Sequence, residues 1–285
     1  MTINLDEIVY EYFPKDTSYE VIERLLGGMS NYTYVIKVNQ RLYTIRKVGK
    51  NAHFFVNRDN ELKDLNEAYS IGLVPETIYF NPVTGTKISQ HIKGDILSEV
   101  SYEPFLPMIA EVLTKVHNHT VKNGHDYDLL GRLKTYESYL EKLSDTYIKL
   151  KKNWQDLYES TYKKYPKVFT HGDAQRSNMV YDGTKLYLLD WEFSGLNDPL
   201  YDIASFGNIS FNDSLDLLAY YLKRKPNLEE LNRVKFYRMF QALQWHLVAQ
   251  YKEHIGLSEE LKLDFKLFSE KYLQLAEKLY QEIQS

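Results

Sequence analysis

Residues 171–190 read HGDAQRSNMVYDGTKLYLLD, and this stretch decides the fold of the second half of the chain. Its polar first part predicts a loop, whereas two short apolar runs separated by Asp182 and Gly183 predict a β-hairpin. Asn178 opens the first strand of this hairpin, and Asp190 closes the second. Because a tight hairpin brings its outer ends together, we expect the side chains of Asn178 and Asp190 to face one point in space.

The polar residues of this stretch have the chemistry of a metal-assisted transfer site. The amide oxygen of Asn178 and the carboxylate of Asp190 are hard ligands suited to Mg²⁺. Asp173 lies on the same loop, where a carboxylate beside a metal-held phosphate can orient an attacking hydroxyl and accept its proton. His171 is a second candidate catalytic residue, although its position before Asp173 favours a structural role in the loop. Loop Asp and Asn also cap turns, but their number and spacing here favour the functional interpretation.

The pattern of apolar residues changes character near residue 92. Before this point, short runs rich in Val, Ile, Tyr and Thr predict a small antiparallel sheet, and one segment with helical spacing predicts a helix. The predicted strands are 20–26, 32–38, 42–48, 77–80 and 86–92, and the predicted helix is 57–70. Later segments predict helices at 105–116, 133–165, 236–251 and 265–283. We therefore predict an α+β protein with two domains, residues 1–92 and 93–285.

A glycine pair, Gly27 and Gly28, precedes Ser30 and Asn31 between two predicted strands. Glycines let backbone N–H groups approach a phosphate closely, and the two polar residues add contacts. Alone, such a pair is usually just a turn. Upstream of the 171–190 stretch, it is a candidate lid over nucleotide phosphates.

Arg46, in the predicted strand 42–48, is the candidate cation for those phosphates. Protein kinases use lysine in the corresponding strand, and arginine supplies the same charge with a bidentate fork. Glu61, on the following helix, is placed to pair with Arg46 and to fix its position. The plain alternative for both residues is an exposed charge on a strand and on a helix.

Composition excludes several classes of protein. The chain has 285 residues, of which 44% are hydrophobic and 26% charged, as in ordinary globular proteins. The net charge of −4 gives no basic surplus for nucleic acid, and the lack of cysteine excludes disulfides, thiol nucleophiles and zinc–thiolate sites. The acidic first residues are unlike a secretory signal, and no apolar run reaches membrane-spanning length. We therefore expect a cytoplasmic protein without nucleic-acid or membrane partners, and the sequence leaves its oligomeric state open.

Aromatic and acidic residues form a candidate substrate pocket. Glu192 and Phe193 follow closely after Asp190, and Trp245 and Tyr251 lie on a later predicted helix. Aromatic faces attract quaternary ammonium groups by cation–π interaction. Aromatic residues at helical spacing more often belong to the core, so that both interpretations stay open at this point.

Five motifs resemble those of the choline/ethanolamine kinase family, in particular its bacterial choline kinases. They are LGGMSN at 26–31, NRDNE at 57–61, HGDAQRSN at 171–178, LLDWEFSGLNDPLYDIA at 188–204 and QALQWHLVAQYKE at 241–253. The third motif is shared with aminoglycoside phosphotransferases and related small-molecule kinases. The resemblance implies a bilobal protein-kinase-like fold, with a small antiparallel β-sheet lobe and a mainly helical lobe. It also implies transfer of the γ-phosphate of ATP to a small alcohol.

The resemblance also assigns roles to individual positions. It gives the loop and hairpin residues the roles argued above, with Asp173 as the catalytic base. Asp202 resembles the buried Asp with which the family braces its catalytic loop. Trp245, Tyr251 and Phe193 correspond to residues that line the family's choline pocket.

Two positions depart from the family pattern. Val248 stands where the family has a second pocket Trp, and Ile209 stands where a pocket Glu is expected. Both bear on how an ammonium group is held, and Asp213 is a neighbouring acid that could compensate. The kinase chemistry is therefore better supported than choline itself as the substrate.

Two alternative functions stay open. The first is an aminoglycoside-type or other small-molecule kinase, against which the mixed charge of the C-terminal helix weighs, because polycationic substrates usually need an acidic pocket. The second is a pseudokinase, a nucleotide-binding module without catalysis. The intact set of Asp173, Asn178 and Asp190 argues against such a module.

Overall fold

The computed structural model describes residues 4–25, 31–49, 51 and 54–284, apart from the side chain of residue 260. The chain divides into two compact units. The N-terminal unit comprises Met1–Pro104 and Arg176–Ser194, and the C-terminal unit comprises Phe105–Gln175 and Gly195–Ser285. The domain boundary after residue 92 stays a prediction. The observed division differs from this predicted boundary, because residues 176–194, which contain the predicted hairpin, belong to the N-terminal unit.

The N-terminal unit is built on a five-stranded antiparallel sheet. Its elements are α1 (Asp6–Val9), β1 (Tyr19–Leu25), β2 (Asn31–Val38), β3 (Arg41–Val48), α2 (Arg58–Ser70), β4 (Thr77–Phe80) and β5 (Lys87–Gln90). The strands lie in the order β1-β2-β3-β5-β4. The predicted sheet with one helix is confirmed, and the short helix α1 adds to it.

Side-chain patterning and one tight turn explain this sheet. Asn39 and Gln40 join β2 to β3, and both have positive φ angles, 48° and 66°. A two-residue turn of this kind matches the twist of the paired strands. Ile36, Ile45 and Ile88 are fully buried and pack with α1. Because neighbouring residues of a strand point to opposite faces, the residues next to these isoleucines point to the other face of β3 and β5.

The helix α2 is positioned by its N-terminal cap. The side chain of Asn57 accepts a hydrogen bond from the Asn60 N–H at 3.1 Å. Arg58 and Glu61 are three residues apart and therefore share a face of the helix, which is buried together with Leu65. The cap thus fixes the positions of Arg58 and Glu61 in the N-terminal unit.

Five short strands lie further along the chain. They are β6 (Asp95–Ile96), β7 (Val168–Thr170), β8 (Met179–Tyr181), β9 (Leu186–Leu188) and β10 (Gly195–Asn197). Strands β6, β8 and β9 form a three-stranded sheet in the N-terminal unit, and β7 pairs with β10 in the C-terminal unit. The predicted hairpin is present as β8 and β9. Strand β6 and the β7–β10 pair were not predicted, because strands of two or three residues carry almost no periodic signal.

The C-terminal unit is mainly helical. Its helices are α3 (Leu106–His117), α4 (Leu129–Glu137), α5 (Asp145–Leu157), α6 (Leu200–Phe206), α7 (Phe211–Leu222), α8 (Leu228–His254), α9 (Leu257–Leu261) and α10 (Phe265–Gln284). The long helix α8 begins at a capping box formed by Asn227 and Glu230. Most of its later side chains are buried, and α10 packs along it.

The predicted helical segment 133–165 is interrupted in the structure. The helix α4 ends at Glu137, and Ser144 caps α5 by accepting a hydrogen bond from the Tyr147 N–H at 3.2 Å. The helix α5 then passes into a π-helical turn at Tyr158–Tyr162. The helices α6 and α7 are also additions to the predicted pattern. Every residue of α6 is buried, so that it lacks the two-sided pattern from which a short helix is predicted.

Candidate active site

The β8–β9 hairpin carries Asn178 and Asp190 at its open end. Met179 pairs with Leu188, and just outside this pair the Leu189 N–H donates to the Asn178 carbonyl oxygen at 2.7 Å. Asp190 then adopts a left-handed conformation with φ 65°. Its side chain is 37% exposed, whereas the side chain of Leu188 is buried. The turn at Asp190 therefore presents a carboxylate outward from a buried strand.

The predicted ion pair between Arg46 and Glu61 is present in the N-terminal unit. Arg46 Nη1 donates to Glu61 Oε1 at 2.5 Å, and Nη2 donates to Oε2 at 3.0 Å. Both side chains are almost fully buried. Arg46 Nη2 also donates to the Gly85 carbonyl oxygen at 3.0 Å. Burial opposes the charge of Arg46, but the surrounding carboxylates, above all Glu61, raise the pKa of its guanidinium.

A second arginine extends this ion pair into a cluster. Arg58 Nη1 donates to Glu61 Oε2 at 2.6 Å and to Glu192 Oε2 at 2.8 Å. Arg46 Nη1 lies 3.7 Å from the same Glu192 oxygen. The Asn31 amide, at the start of β2, donates to the two Glu192 oxygens at 3.3 and 3.4 Å. Glu192 therefore connects the end of the hairpin segment with β2, β3 and α2 inside one unit.

The two buried carboxylates of this cluster differ in their electrostatics. Burial alone raises the pKa of Glu61, but Arg46, Lys87 and Arg58 together lower it below its usual value. In Glu192, burial and the nearby carboxylate of Asp190 raise the pKa, despite the two guanidinium groups. The cluster therefore holds Glu61 firmly ionised and favours the ionised form of Glu192 less.

Sequence reasoning did not identify Arg58 and Lys87 as functional candidates. Lys87 lies opposite Arg46 in the β3–β5 register. Burial, with Arg46 next in size, lowers the pKa of the Lys87 ammonium. The only available signal was the NRDNE motif, which contains Arg58, and nothing in the sequence marks Lys87. Both residues add positive charge beside the predicted phosphate-binding arginine.

The residues at the hairpin end fit a divalent cation. Oxygen atoms of Glu61, Asp190 and Glu192 lie within 4.8 Å of one another. Glu61 and Glu192 are engaged by arginines, whereas Asp190 is partly exposed and lies 3.4 Å from Arg46 Nη1. A partly exposed carboxylate next to the Asn178 end of the hairpin offers the hard oxygen donors that Mg²⁺ prefers. The assignment of Asp190 and Asn178 as magnesium ligands agrees with this chemistry and stays a prediction.

In the C-terminal unit, Asp202 holds the loop that follows β7. Its Oδ2 accepts a hydrogen bond from the His171 N–H, and its Oδ1 accepts one from the Gly172 N–H, each at 2.8 Å. His117 Nε2 lies 3.1 Å from the same Oδ2. Asp202 is fully buried. The contacts expected of a loop-bracing Asp are therefore present at Asp202.

His171 and Asp173 stand at the start of this loop. The side chain of His171 is fully buried, and its Nδ1 accepts a hydrogen bond from the Asp173 N–H at 3.2 Å. These contacts agree with the structural role that the sequence favours for His171. Asp173 is half-buried, and its Oδ2 accepts a hydrogen bond from Gln175 Nε2 at 2.9 Å. Its carboxylate is thus held by a side chain of its own loop.

The helix α8 presents its candidate pocket residues unequally. Trp245 is half-buried, although nearly all of its neighbours on the helix are buried. Tyr251 is buried, and its ring centroid lies 5.8 Å from that of Tyr139. Val248 is also buried, whereas Ile209 is 67% exposed. Trp245 is therefore the more accessible of the two aromatic candidates on α8.

Three tyrosines in the C-terminal unit are further candidate site residues, because they interact electrostatically with Asp173. They are Tyr127, Tyr201 and Tyr272. Burial is the main cause that raises the pKa of each, and the carboxylate of Asp173 contributes in all three. The hydroxyl groups of Tyr127 and Tyr201 are hydrogen-bonded at 2.7 Å. Their distance from one another in the sequence hides this grouping, which depends on tertiary packing around Asp173.

The remaining predicted positions can be placed as follows. Gly27, Gly28 and Ser30 lie outside the described residues, and Phe193 is buried in the N-terminal unit. Asp173 belongs to the C-terminal unit, whereas the hairpin belongs to the N-terminal unit. The expected convergence of Asp173 with the hairpin end stays a prediction, as do the substrate roles of Glu192 and Phe193.

The fold is that of the protein-kinase-like small-molecule kinases. The structure is similar to that of the choline kinase LicA from Streptococcus pneumoniae, with a TM-score of 0.79, 23% sequence identity and coverage of 98% of each chain. It is also similar to LicA in complex with AMP, with a TM-score of 0.80, 23% identity and coverage of 98% of this chain and 97% of that one. The predicted fold class is thereby confirmed.

The sequence match goes further than the fold. The model of the choline/ethanolamine kinase family matches residues 22–215. The chain is also 26% identical to the protein LicA of Haemophilus influenzae over 270 residues, which cover 86% of this chain and 79% of that protein. The chain belongs to the choline/ethanolamine kinase family, and it is a phosphotransferase that acts on an alcohol group. Among its described residues, no helix has both the length and the apolar character needed to span a bilayer.

Proposed function

We propose that this protein transfers the γ-phosphate of ATP, in the presence of Mg²⁺, to the hydroxyl group of choline or of a related amino alcohol. The observation that carries this proposal is the buried Arg46–Glu61 ion pair with the partly exposed Asp190 carboxylate 3.4 Å from Arg46 Nη1. Protein kinases use a cation paired to a helix carboxylate and a metal-binding Asp in the same combination. The family match adds the alcohol acceptor.

On the nucleotide side, Arg46 supplies positive charge to the phosphates. Its bidentate pairing with Glu61 holds the guanidinium rigidly, so that little reorganisation is needed when phosphate oxygens approach. Asp190 and Asn178 would hold Mg²⁺. Asn31, at the start of β2, would add a polar contact to the phosphates. Mg²⁺, when bound, neutralises charge on the phosphate oxygens. The relative with AMP bound supports a nucleotide as the donor.

On the acceptor side, Asp173 orients the hydroxyl group and accepts its proton. A bond forms between the hydroxyl oxygen and the γ-phosphorus, and the bond to the β–γ bridging oxygen breaks, so that ADP leaves with the electron pair. Asp202 fixes the loop through the N–H groups of His171 and Gly172. Trp245, half-buried on α8, is proposed to receive the ammonium group of the acceptor.

The test is ADP release from Mg²⁺-ATP by the purified full chain. Choline, ethanolamine and several aminoglycosides are assayed in parallel, and Asp173→Asn is compared with wild type. We expect choline- or ethanolamine-dependent release that Asp173→Asn abolishes while nucleotide binding persists. Asp156→Asn is the matched control, because this exposed Asp lies on α5 in a surface ion pair with Lys152, and such pairs contribute little.

Other outcomes would change the assignment in defined ways. Full turnover by Asp173→Asn would overturn the role of Asp173. Release that depends on an aminoglycoside alone would move the substrate to the alternative class. Tight binding of ATP without release for any alcohol tested, and without an effect of Mg²⁺ on thermal stability, would support a non-catalytic module.

A further inference from the structure

A chain of hydrogen bonds leads from Asp173 to α8 within the C-terminal unit, through the side chain of Gln175 and both the side chain and the backbone of Asn208. Gln175 Nε2 donates to Asp173 Oδ2 at 2.9 Å. Asn208 Nδ2 donates to Gln175 Oε1 at 2.5 Å. Arg238 Nη2, on α8, donates to the Asn208 carbonyl oxygen at 3.2 Å. Gln175, Asn208 and Arg238 are not among the predicted site residues, and they have no role in the proposed mechanism.

Hydrogen-bond polarity fixes the direction of this chain. An ionised Asp173 can only accept, so that the nitrogen end of the Gln175 amide must face it. The oxygen end of Gln175 then faces Asn208, which must donate from its own amide nitrogen. Asn208 therefore selects which end of the Gln175 amide reaches Asp173. A carboxylate at position 208 could not donate, and it would reverse the preferred orientation of Gln175.

The far end of the chain is anchored in the helical core. The Asn208 N–H donates to the Ser205 carbonyl oxygen at 3.1 Å, so that both backbone groups of Asn208 are engaged. Arg238 is 4% exposed, and its Nη1 donates to Gln241 Oε1 at 3.1 Å. Gln241 Nε2 donates in turn to the Tyr201 carbonyl oxygen at 3.0 Å. Although the side chain of Asn208 is exposed, its backbone is thus tied to buried groups of α6 and α8.

We infer that Gln175 and Asn208 are positioning residues for phosphoryl transfer: Gln175 orients the Asp173 carboxylate toward the acceptor hydroxyl, and Asn208 keeps Gln175 in the donating orientation. A donor bonded to a carboxylate restricts its rotamer and favours its ionised form, which is the form that can accept a proton. The inference rests on the proposed role of Asp173. It gives Gln175, which lies within the HGDAQRSN motif, a partner outside the five motifs.

Four ionisable side chains of the C-terminal unit interact with the carboxylate of Asp173. Tyr127, Tyr201 and Tyr272 of the same unit interact electrostatically with its carboxylate, and so does the guanidinium of Arg238. These groups stay in place when Gln175 or Asn208 is changed. A shift in the acid limb of the pH–rate profile of such variants therefore reports on the altered hydrogen bond to Asp173.

The experiment compares kcat, KM and the pH profile of single and double variants of the full chain. We expect Gln175→Ala to lower kcat about tenfold, the effect of one hydrogen bond to a charged group. The KM for ATP should stay unchanged, and the acid limb of the profile should move to higher pH. Asn208→Asp should lower kcat more than Asn208→Ala, because only the carboxylate turns the Gln175 oxygen toward Asp173. In a Gln175→Ala background, Asn208→Asp should add nothing, as expected for coupled residues.

Asn212→Asp is the matched control, since it makes the same chemical change at an exposed position of α7 in the same unit. Equal kcat for Asn208→Asp and Asn208→Ala, or wild-type kcat and pH profile in Gln175→Ala, would overturn the inference. These results leave the proposed function intact, because that function is tested separately by the dependence of ADP release on choline or ethanolamine and by the loss of release in Asp173→Asn.

A second measurement needs no turnover. In ¹⁵N-labelled full-length protein, the side-chain amide resonances of Gln175 should shift as Asp173 titrates. Asp173→Asn should remove this shift, and Asn208→Asp should remove or reverse it. Gln175 resonances that do not respond to pH in the wild type would refute the inference even if no alcohol substrate is found.

Discussion

The buried ion cluster of the N-terminal unit predicts a large effect of Glu61→Gln on stability. Glu61 accepts three charge-assisted hydrogen bonds, two from Arg46 and one from Arg58, at 2.5 to 3.0 Å. Its side chain is fully buried, so that solvent does not screen these bonds. A glutamine with its oxygen at the Oε2 position keeps two of the three bonds, but it turns an NH₂ group toward Arg46 Nη1 and removes the negative charge between the two guanidinium groups.

The magnitude follows from these contacts. One lost bond to a charged group costs about 1.5–3 kcal/mol, and the loss of the compensating carboxylate brings the expected decrease in the free energy of unfolding to about 3–5 kcal/mol. The same range is typical when one partner of a buried ion pair is removed. The assay is urea unfolding of the wild type and of Glu61→Gln at pH 7. Glu99→Gln, an exposed change in the same unit, should differ from the wild type by less than about 0.5 kcal/mol.

The pH dependence gives the sign of the effect. The pKa of Glu61 is lowered in the folded protein, so that its ionised form contributes stability above the usual pKa of about 4.3. That stability is lost as the pH falls below this value. The difference between the wild type and Glu61→Gln should therefore shrink from pH 6 to pH 3. A difference below about 1 kcal/mol at pH 7, or one that stays constant on acidification, would refute this reasoning.

Three further predictions concern the remaining parts of the site. Glu192→Gln should destabilise the protein less than Glu61→Gln at pH 7, because the pKa of Glu192 is raised and its ionised form is less favoured; urea unfolding of the two variants side by side checks this order. Asp202→Asn should cost about 2–3 kcal/mol and lower kcat, because its NH₂ group would face a loop N–H donor; calorimetry combined with the ADP-release assay measures both effects, and wild-type values for both would contradict the bracing role. Trp245→Ala should raise the KM for choline about 10–30-fold, as expected for loss of about 2 kcal/mol of cation–π attraction, while the KM for ATP stays unchanged; equal changes in both constants would argue against a specific contact with the acceptor.

Features that depend on neighbouring residues were predictable from the sequence. The β2–β3 hairpin, the helix α2 with its Asn57 cap, and the β8–β9 hairpin with Asn178 and Asp190 at its ends all follow from local periodicity and turn chemistry. The Arg46–Glu61 ion pair was also predictable, because protein kinases pair a strand cation with a carboxylate on the helix that follows.

Apolar periodicity did not predict two features, the interruption before α5 and the β7–β10 pair. The predicted helical segment 133–165 is interrupted between Glu137 and Ser144, although its apolar spacing continues across the interruption. Strands β7 and β10 have only three residues each, and they form because their backbone groups pair across the chain. The partners in the β7–β10 pair lie beyond the window from which periodicity is read, whereas the Ser144 cap is a local contact that apolar spacing does not reveal.

By itself, the sequence therefore determined the order of the chemistry-bearing residues and the family to which they belong, because these are properties of spacing and residue type. Only the tertiary structure decided which polar groups meet when they lie far apart in the sequence. Arg58 meets Glu192 at 2.8 Å across 134 positions of sequence, and Asn208 meets Gln175 across 33. Such pairs form because a buried or constrained polar group must find a partner of opposite polarity wherever folding places one, and sequence distance plays no part in that requirement.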